Sequence, residues 1–125
     1  MTPDAVIATL KTLVDPDKVR VDAESLDNWG KDWTKHFAPA PLAIVFPKTV
    51  EQVQAVVRFA NEQKLALVPS GGRTGLSAAA VAANGEIVVS FDYMNQIGEF
   101  NAYDRTVVCQ PGVVTAQLQQ FAEEK

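Results

Sequence analysis

A strand–helix–strand succession in the middle of the chain restricts the fold more than any other feature. Leu42-Ala43-Ile44-Val45-Phe46 is a short, unbroken apolar run. Such a run has no polar face to turn to water, so it predicts a strand buried on both sides. Pro47 stops it. Thr49 and Gln52 then stand at the spacing of a capping box. Val50, Val53, Val56, Val57 and Ala60 recur at helical spacing, which predicts an amphipathic helix over 50–63. Leu65-Ala66-Leu67-Val68 reads as a second buried strand, ended by Pro69. Together these form a βαβ unit of about 30 residues. Its strands should run parallel through a right-handed crossover.

The flanking segments extend this unit. Thr2, Pro3 and Asp4 suit the cap and first turn of an opening helix. Val6, Ile7, Leu10, Leu13 and Val14 form its apolar face, and Asp15-Pro16-Asp17 ends it. Residues 19–41 mix charge with aromatics and predict an irregular covering segment with one short helical turn. The chain therefore divides into a helix and covering segment, 1–41, and a main unit, 42–125. Past an Asn84-Gly85 turn, residues 86–91 read as a third strand. Residues 97–100 and 106–110 read as a hairpin. Pro111-Gly112 breaks the chain, and Thr115 is read as the cap of a last helix bearing Leu118, Phe121 and Ala122. That helix reaches Lys125 without a C-cap signal, so the fold is expected to continue past it. The predicted class is α+β with an α/β-like βαβ core: a small, mostly parallel sheet flanked by helices, plus a C-terminal hairpin and helix.

Several function classes are disfavoured. Fifteen acidic residues against eleven Lys and Arg give a net charge of −4, and no basic run is present. Nucleic-acid binding through phosphate contacts therefore has no support. No apolar stretch approaches the roughly 18 residues of a membrane span, and the first residues lack the pattern of a secretory signal. Cys109 is the only cysteine. It excludes an internal disulfide, fits a reducing cytoplasm, and reads as a small buried strand residue. His36 is the only histidine, so no metal-ligand set exists, and it reads as a surface or packing residue. Trp29 and Trp33, four apart, read as sharing a helical face that covers the first strand. Asp32 and Asp104 have no visible partner, so paired-carboxylate catalysis is unsupported and no catalytic residue is assigned. Asp92 and Asn95 read as polar caps of a turn, with ligand contact as the alternative, and Met94 and Ile97 read as core.

The chemistry concentrates in residues 68–77, Val-Pro-Ser-Gly-Gly-Arg-Thr-Gly-Leu-Ser. A loop at the carboxyl end of a parallel strand is where open α/β sheets bind ligands. Glycines there permit positive φ and close approach to the main chain. Successive amides can then form an anion-binding nest, with hydroxyls from Ser70, Thr74 and Ser77. The spacing Gly71-Gly72-x-x-Gly75 fits neither the dinucleotide fingerprint nor the P-loop. From the loop alone, an anion cradle and a structural turn both remain open.

The order of the segments resolves this through a resemblance. Residues 41–57, 65–81, 86–97 and 106–118 resemble, in sequence and order, the FAD-binding domain of the p-cresol methylhydroxylase and vanillyl-alcohol oxidase superfamily. Within it they look most like the FAD-linked 2-hydroxyacid dehydrogenases, a branch that includes glycolate oxidase and the dehydrogenases of D-lactate and D-2-hydroxyglutarate. The resemblance implies FAD as cofactor, a small hydroxy acid as substrate of the whole enzyme, and hydride transfer to the flavin. It places Ser70, Gly71, Gly72, Arg73, Thr74 and Gly75 around the pyrophosphate, with Leu76 and Ser77 beside them. Pro47 and Pro69 would bound the strand ends that face the cofactor, and Gly112 would bring backbone close to the nucleotide. Relatives often carry glycine or asparagine at Arg73, so the amides rather than that side chain are implied as the ligand. The resemblance also implies a second FAD subdomain and a substrate domain downstream. Apolar surface that these would cover is then left open, so the 125 residues are expected to self-associate. The competing expectation is a stand-alone nucleotide-binding or protein-interaction module without catalysis.

Overall fold

The computed structural model describes residues 1–125. In chain order the elements are α1 (Pro3–Leu13), β1 (Val19–Arg20), α2 (Ala23–Trp29), β2 (Ala43–Val45), α3 (Val50–Gln63), β3 (Leu67–Ser70), β4 (Ile87–Ser90), β5 (Ile97–Asn101), β6 (Thr106–Cys109) and α4 (Thr115–Glu123). The first four strands form one sheet in the order β1-β2-β4-β3, and β5 and β6 form a separate hairpin. Strands β2, β4 and β3 are parallel, and β1 is antiparallel at the edge beside β2.

Residue parity organises the core, because successive strand side chains point to opposite faces. Ala43, Val45, Ile87 and Val89 pack against Val6, Leu10 and Val14 at α1 and against Val56 and Phe59 of α3. Ile44, Phe46 and Val88 face the other way, onto Ala82 with Leu26 and Trp29 of α2. A sheet covered on both faces needs apolar residues at every position, which is why 42–46 shows no alternation.

The helices begin where their caps dictate. Thr2 accepts from the Ala5 amide at 3.2 Å, with Pro3 in the first turn of α1. Thr49 accepts from the Gln52 amide at 3.1 Å, while Gln52 reaches back to the Lys48 amide at 2.8 Å. At the far end of α3, Lys64 takes a left-handed conformation at φ 54° and its amide closes on Ala60 and Asn61.

The topology departs from the sequence reading at several points. Strand β4 lies between β2 and β3, so the two strands of the βαβ unit are parallel but not neighbours. Strand β3 spans 67–70 rather than 65–68, because residues 64–66 turn the chain off α3; the Leu65 amide bonds the Ala60 carbonyl at 2.8 Å. Pro69 therefore sits inside β3, opposite Val89, instead of ending it. An edge strand tolerates proline because the lost N–H side has no partner strand. Residues 19–41 are more ordered than expected. They add β1, and α2 is capped by Asp22, which accepts from the Ser25 amide at 3.0 Å. Trp33 lies outside α2 and is 64% exposed, so it shares no helical face with Trp29. Trp29 alone packs on Phe46, edge to face at 5.2 Å.

The C-terminal unit differs again. The hairpin forms where expected, with a register irregularity between Ile97 and Phe100. Helix α4 has Val114, not Thr115, at its N-cap, and Val114 offers no side-chain acceptor. Cys109 is exposed rather than buried, because no second layer covers that side of the hairpin. Met94 is buried as expected. No helix is long and apolar enough to cross a membrane.

Candidate functional site

Because β2, β3 and β4 are parallel, their carboxyl ends share one edge of the sheet. The glycine-rich loop leaves β3 there and the 91–96 turn leaves β4. The Phe91 amide donates to the Ser70 carbonyl at 3.1 Å and holds the two exits together. The chain returns to the same edge at Gly112, whose amide donates to the Met94 carbonyl at 2.8 Å. A Cβ on Gly112 would run into the backbone carbonyls of Phe91 and Met94, so glycine is required for this approach.

These segments enclose a cavity of about 330 Å³. Its walls are Gly71, Gly72, Arg73 and Thr74 from the loop, Asp92 from the turn, and Pro111, Gly112, Val113, Val114 and Thr115 leading into α4. It thus unites Gly71, Gly72, Arg73, Thr74 and Gly112. Pro69, Ser70, Gly75, Leu76 and Ser77 lie outside its walls. Pro69 is exposed on the edge strand, and Ser77 is exposed as well. Ser70 is fully buried at the end of β3 with its hydroxyl unpartnered. Gly75 is tied to the covering segment: its carbonyl accepts from the Trp33 amide at 3.0 Å. Leu76 borders a different cavity of about 550 Å³ beside Asp32, Trp33 and Phe37.

The glycines serve the cavity by absence rather than by unusual backbone. Neither Gly71, Gly72 nor Gly75 has positive φ; within the loop that conformation falls on Arg73, at φ 58°. A Cβ on Gly71 or Gly72 would meet nothing within 4 Å. The space in front of their main chain is open to a ligand, and any side chain would project into solvent or into that space.

The start of α4 supplies a second set of donors. The first amides of a helix lack intrahelical partners, and Val114 cannot satisfy them with a side chain. The positive end of the α4 dipole therefore stands at Val113–Thr115, on the cavity wall. Open main chain at the glycines and an uncapped helix start make a setting suited to an anion such as a diphosphate, while the Arg73 guanidinium is engaged with Asp92. The cavity volume is at the low end for ligand pockets, enough for part of a dinucleotide.

Sequence reasoning missed Pro111 and Val113–Thr115 as walls, and it preferred a turn cap to ligand contact for Asp92. Reading Thr115 as a cap hid that it is the first helical residue, where the helix opens without a side-chain acceptor. Asp92 also differs from expectation. Its main-chain carbonyl, not its carboxylate, serves the turn, accepting from Asn95 Nδ2 at 3.0 Å. The carboxylate accepts from Trp29 Nε1 at 3.0 Å and lies 3.6 Å from Arg73 Nη1. Asp32 is buried against Gly75, with one oxygen accepting from the Thr34 amide at 2.8 Å and the other unpartnered. His36 is exposed, and Asp104 accepts from Asn101 within the hairpin turn.

A mixed α+β unit with an amide-rich cradle at the carboxyl edge of a parallel sheet is the architecture of flavoprotein FAD-binding domains. Solved structures agree. The unit superposes on p-cresol methylhydroxylase with a TM-score of 0.81 and 28% identity, over 97% of this chain and 24% of that one. It matches alkyldihydroxyacetonephosphate synthase with a TM-score of 0.84 at 18% identity, over 99% of this chain and 25% of the other, a likeness of fold. The chain belongs to the FAD binding domain family, whose model matches residues 41–125. It is 78% identical to a D-2-hydroxyglutarate dehydrogenase of Stutzerimonas stutzeri (strain A1501), over the whole of this chain and 27% of that protein. It is 47% identical to a D-2-hydroxyglutarate dehydrogenase of Xanthomonas citri pv. viticola, over 98% of this chain and 26% of the relative. The chain spans about a quarter of the length of these relatives.

Proposed function

We propose that this chain holds the diphosphate of FAD in an FAD-linked dehydrogenase that oxidises a small 2-hydroxy acid, D-2-hydroxyglutarate before the others. The observation that carries this reading is the convergence of the Gly71–Thr74 loop and the uncapped start of α4 on one cavity. The names of the two D-2-hydroxyglutarate dehydrogenases support the substrate class. When bound, FAD supplies the hydride acceptor that converts a 2-hydroxy acid to a 2-oxo acid. The residues present here bind and orient: amides of Gly71, Gly72, Arg73 and Thr74 face the anion on one side and those at the start of α4 face it on the other. Ser70, Gly75, Leu76 and Ser77 shape the loop behind that row, with Pro69 fixing the strand that launches it and Gly112 closing the opposite wall.

Residues 1–41 act in this proposal as the cover and edge of the domain and 42–125 as its first subdomain. The family match over 41–125 supports that division. The lone cysteine supports a reducing, cytoplasmic setting, and the exposed Val108 and Val114 support self-association of the 125 residues.

The test uses the longest natural chain that carries these residues. Purified, it should hold FAD near one equivalent, and D-2-hydroxyglutarate should bleach the visible flavin band faster than D-lactate or glycolate. A well-folded protein that takes up no FAD would overturn the cofactor reading. FAD uptake with no bleaching by any 2-hydroxy acid would overturn the substrate class alone. Gly72→Asp should abolish FAD binding while leaving the circular dichroism unchanged.

A further inference from the structure

Arg73 is placed differently from a residue that binds an anion directly. Within the glycine-rich loop it alone occupies the left-handed region, at φ 58°. Glycine would adopt that backbone without steric cost, and arginine does not. The conformation turns the guanidinium back toward the body of the domain. Arg73 Nη1 lies 3.6 Å from Asp92 Oδ1 and 3.4 Å from the Gly71 carbonyl. Its guanidinium stands 5.1 Å from the centre of the Trp29 ring. Trp29 binds the other oxygen of the same carboxylate through Nε1, at 3.0 Å. Arg20 flanks that indole as well, at 5.7 Å. Two side chains, Trp29 of α2 and Arg73 of the loop, thus converge on the carboxylate of Asp92 in the turn after β4.

That carboxylate stands in an awkward place. Asp92 is the only acidic side chain on the wall of the diphosphate cavity, and Arg73 is the only basic one. Unneutralised, Asp92 would face a dianion across a cavity partly screened from water, where like charges repel strongly. Paired, the two sum to zero and leave attraction to the amides and the helix dipole.

We propose that Arg73 is the fixed counter-ion of Asp92, and that this pair, held on Trp29, sets the affinity of the cradle for the FAD diphosphate. Arg73 is in this sense a positioning and charge-balancing residue rather than a diphosphate ligand. The inference rests on the cofactor reading above.

The experiment is an FAD titration of the apoprotein of the longest natural chain carrying these residues, with five proteins: wild type, Arg73→Gly, Arg73→Lys, Asp92→Asn and the Arg73→Gly/Asp92→Asn double variant. Glycine is the informative replacement because it accepts the left-handed backbone. Arg73→Gly should raise Kd about tenfold at low salt, with the loss shrinking as salt screens the exposed carboxylate. Adding Asp92→Asn should return Kd to within about threefold of wild type, since no charge then needs balancing. Arg73→Lys should keep most of the affinity. If Arg73→Gly binds FAD as wild type does, the inference is overturned. It is equally overturned if the double variant stays as weak as Arg73→Gly, which would make Arg73 a direct ligand. A thermal-denaturation cycle on the same apoproteins supplies a readout without FAD: Arg73 and Asp92 should be coupled, and additive effects would refute the pair. Should Arg73→Gly fail to fold, Arg73→Asn, which also tolerates this backbone, replaces it. Absence of FAD binding by the wild type would sink the cofactor reading and this inference together, whereas wild-type binding with no rescue sinks only the inference.

Discussion

Val88 of β4 and Val108 of β6 are the same residue type in strands of four residues each, yet the first is 0% exposed and the second 75%. Their strands differ in what lies above and below. Strand β4 is central in its sheet, with α1 and α3 on one face and α2 on the other. The β5–β6 hairpin has only α4 beside it, through an edge-to-face contact of Phe100 and Phe121 at 6.3 Å. No residue of α4 is buried. Strand propensity made both elements; layering decided which of them became core.

The difference predicts unequal responses to the same substitution. Leu10→Ala, at a fully buried site of α1 packed against the sheet, should cost about 3 kcal/mol of unfolding free energy. Leu118→Ala, in α4, should cost under about 1 kcal/mol. Denaturant midpoints measure both, and equal losses would erase the distinction between the regions.

Glycines sharpen the comparison where the two regions meet. Gly112→Ala forces a Cβ against the carbonyls of Phe91 and Met94, which cannot move aside, and should cost about 2 kcal/mol. Gly71→Ala puts a Cβ into open space and should change stability by less than about 0.5 kcal/mol, while weakening FAD binding. A Gly112→Ala protein as stable as wild type would contradict the described approach of the two segments.

The exposed side of the hairpin–helix unit makes a third test. The 125-residue chain should sediment as more than a monomer at high concentration, and Val108→Asp should move it toward the monomer. A wild type that stays monomeric throughout would count against self-association through this unit.

The smallest effect concerns how the helices begin. Helix α2 starts at a side-chain cap, and α4 starts without one. Hydrogen bonds from the Ser25 amide and hydroxyl hold the Asp22 carboxyl below its ordinary value. A lowered folded value means its contribution is full above about pH 4. That contribution is lost as the pH falls through the lowered value. Acid titration followed by amide resonances should therefore move Ser25 at the start of α2 and leave Ala116 and Gln117 of α4 unaffected. Movement of all three together would show a global rather than a cap transition.

Much of this was legible in the residues. Helix α3 lies at 50–63 as its apolar spacing and the Thr49–Gln52 box require, and α1 begins at Thr2 and Pro3 as read. These are local features, settled within a few residues of chain. The glycine-rich loop was legible as a possible cradle, but its working members were not separable. Whether Gly71 or Leu76 faces the cavity depends on where Asp32, Trp33 and α4 are anchored.

Sequence by itself determined the elements and the kind of sheet, because periodicity, caps and breakers act over short range. It also carried the family, through the order of its segments. Tertiary structure alone decided that β4 separates β2 from β3 and that Pro69 is tolerated inside an edge strand. It alone brought Val113–Thr115 to the glycine loop and set Arg73 on Asp92 and Trp29. Those outcomes join residues far apart in the chain, and their free energy comes from shared burial and charge pairing, which no short stretch of residues contains.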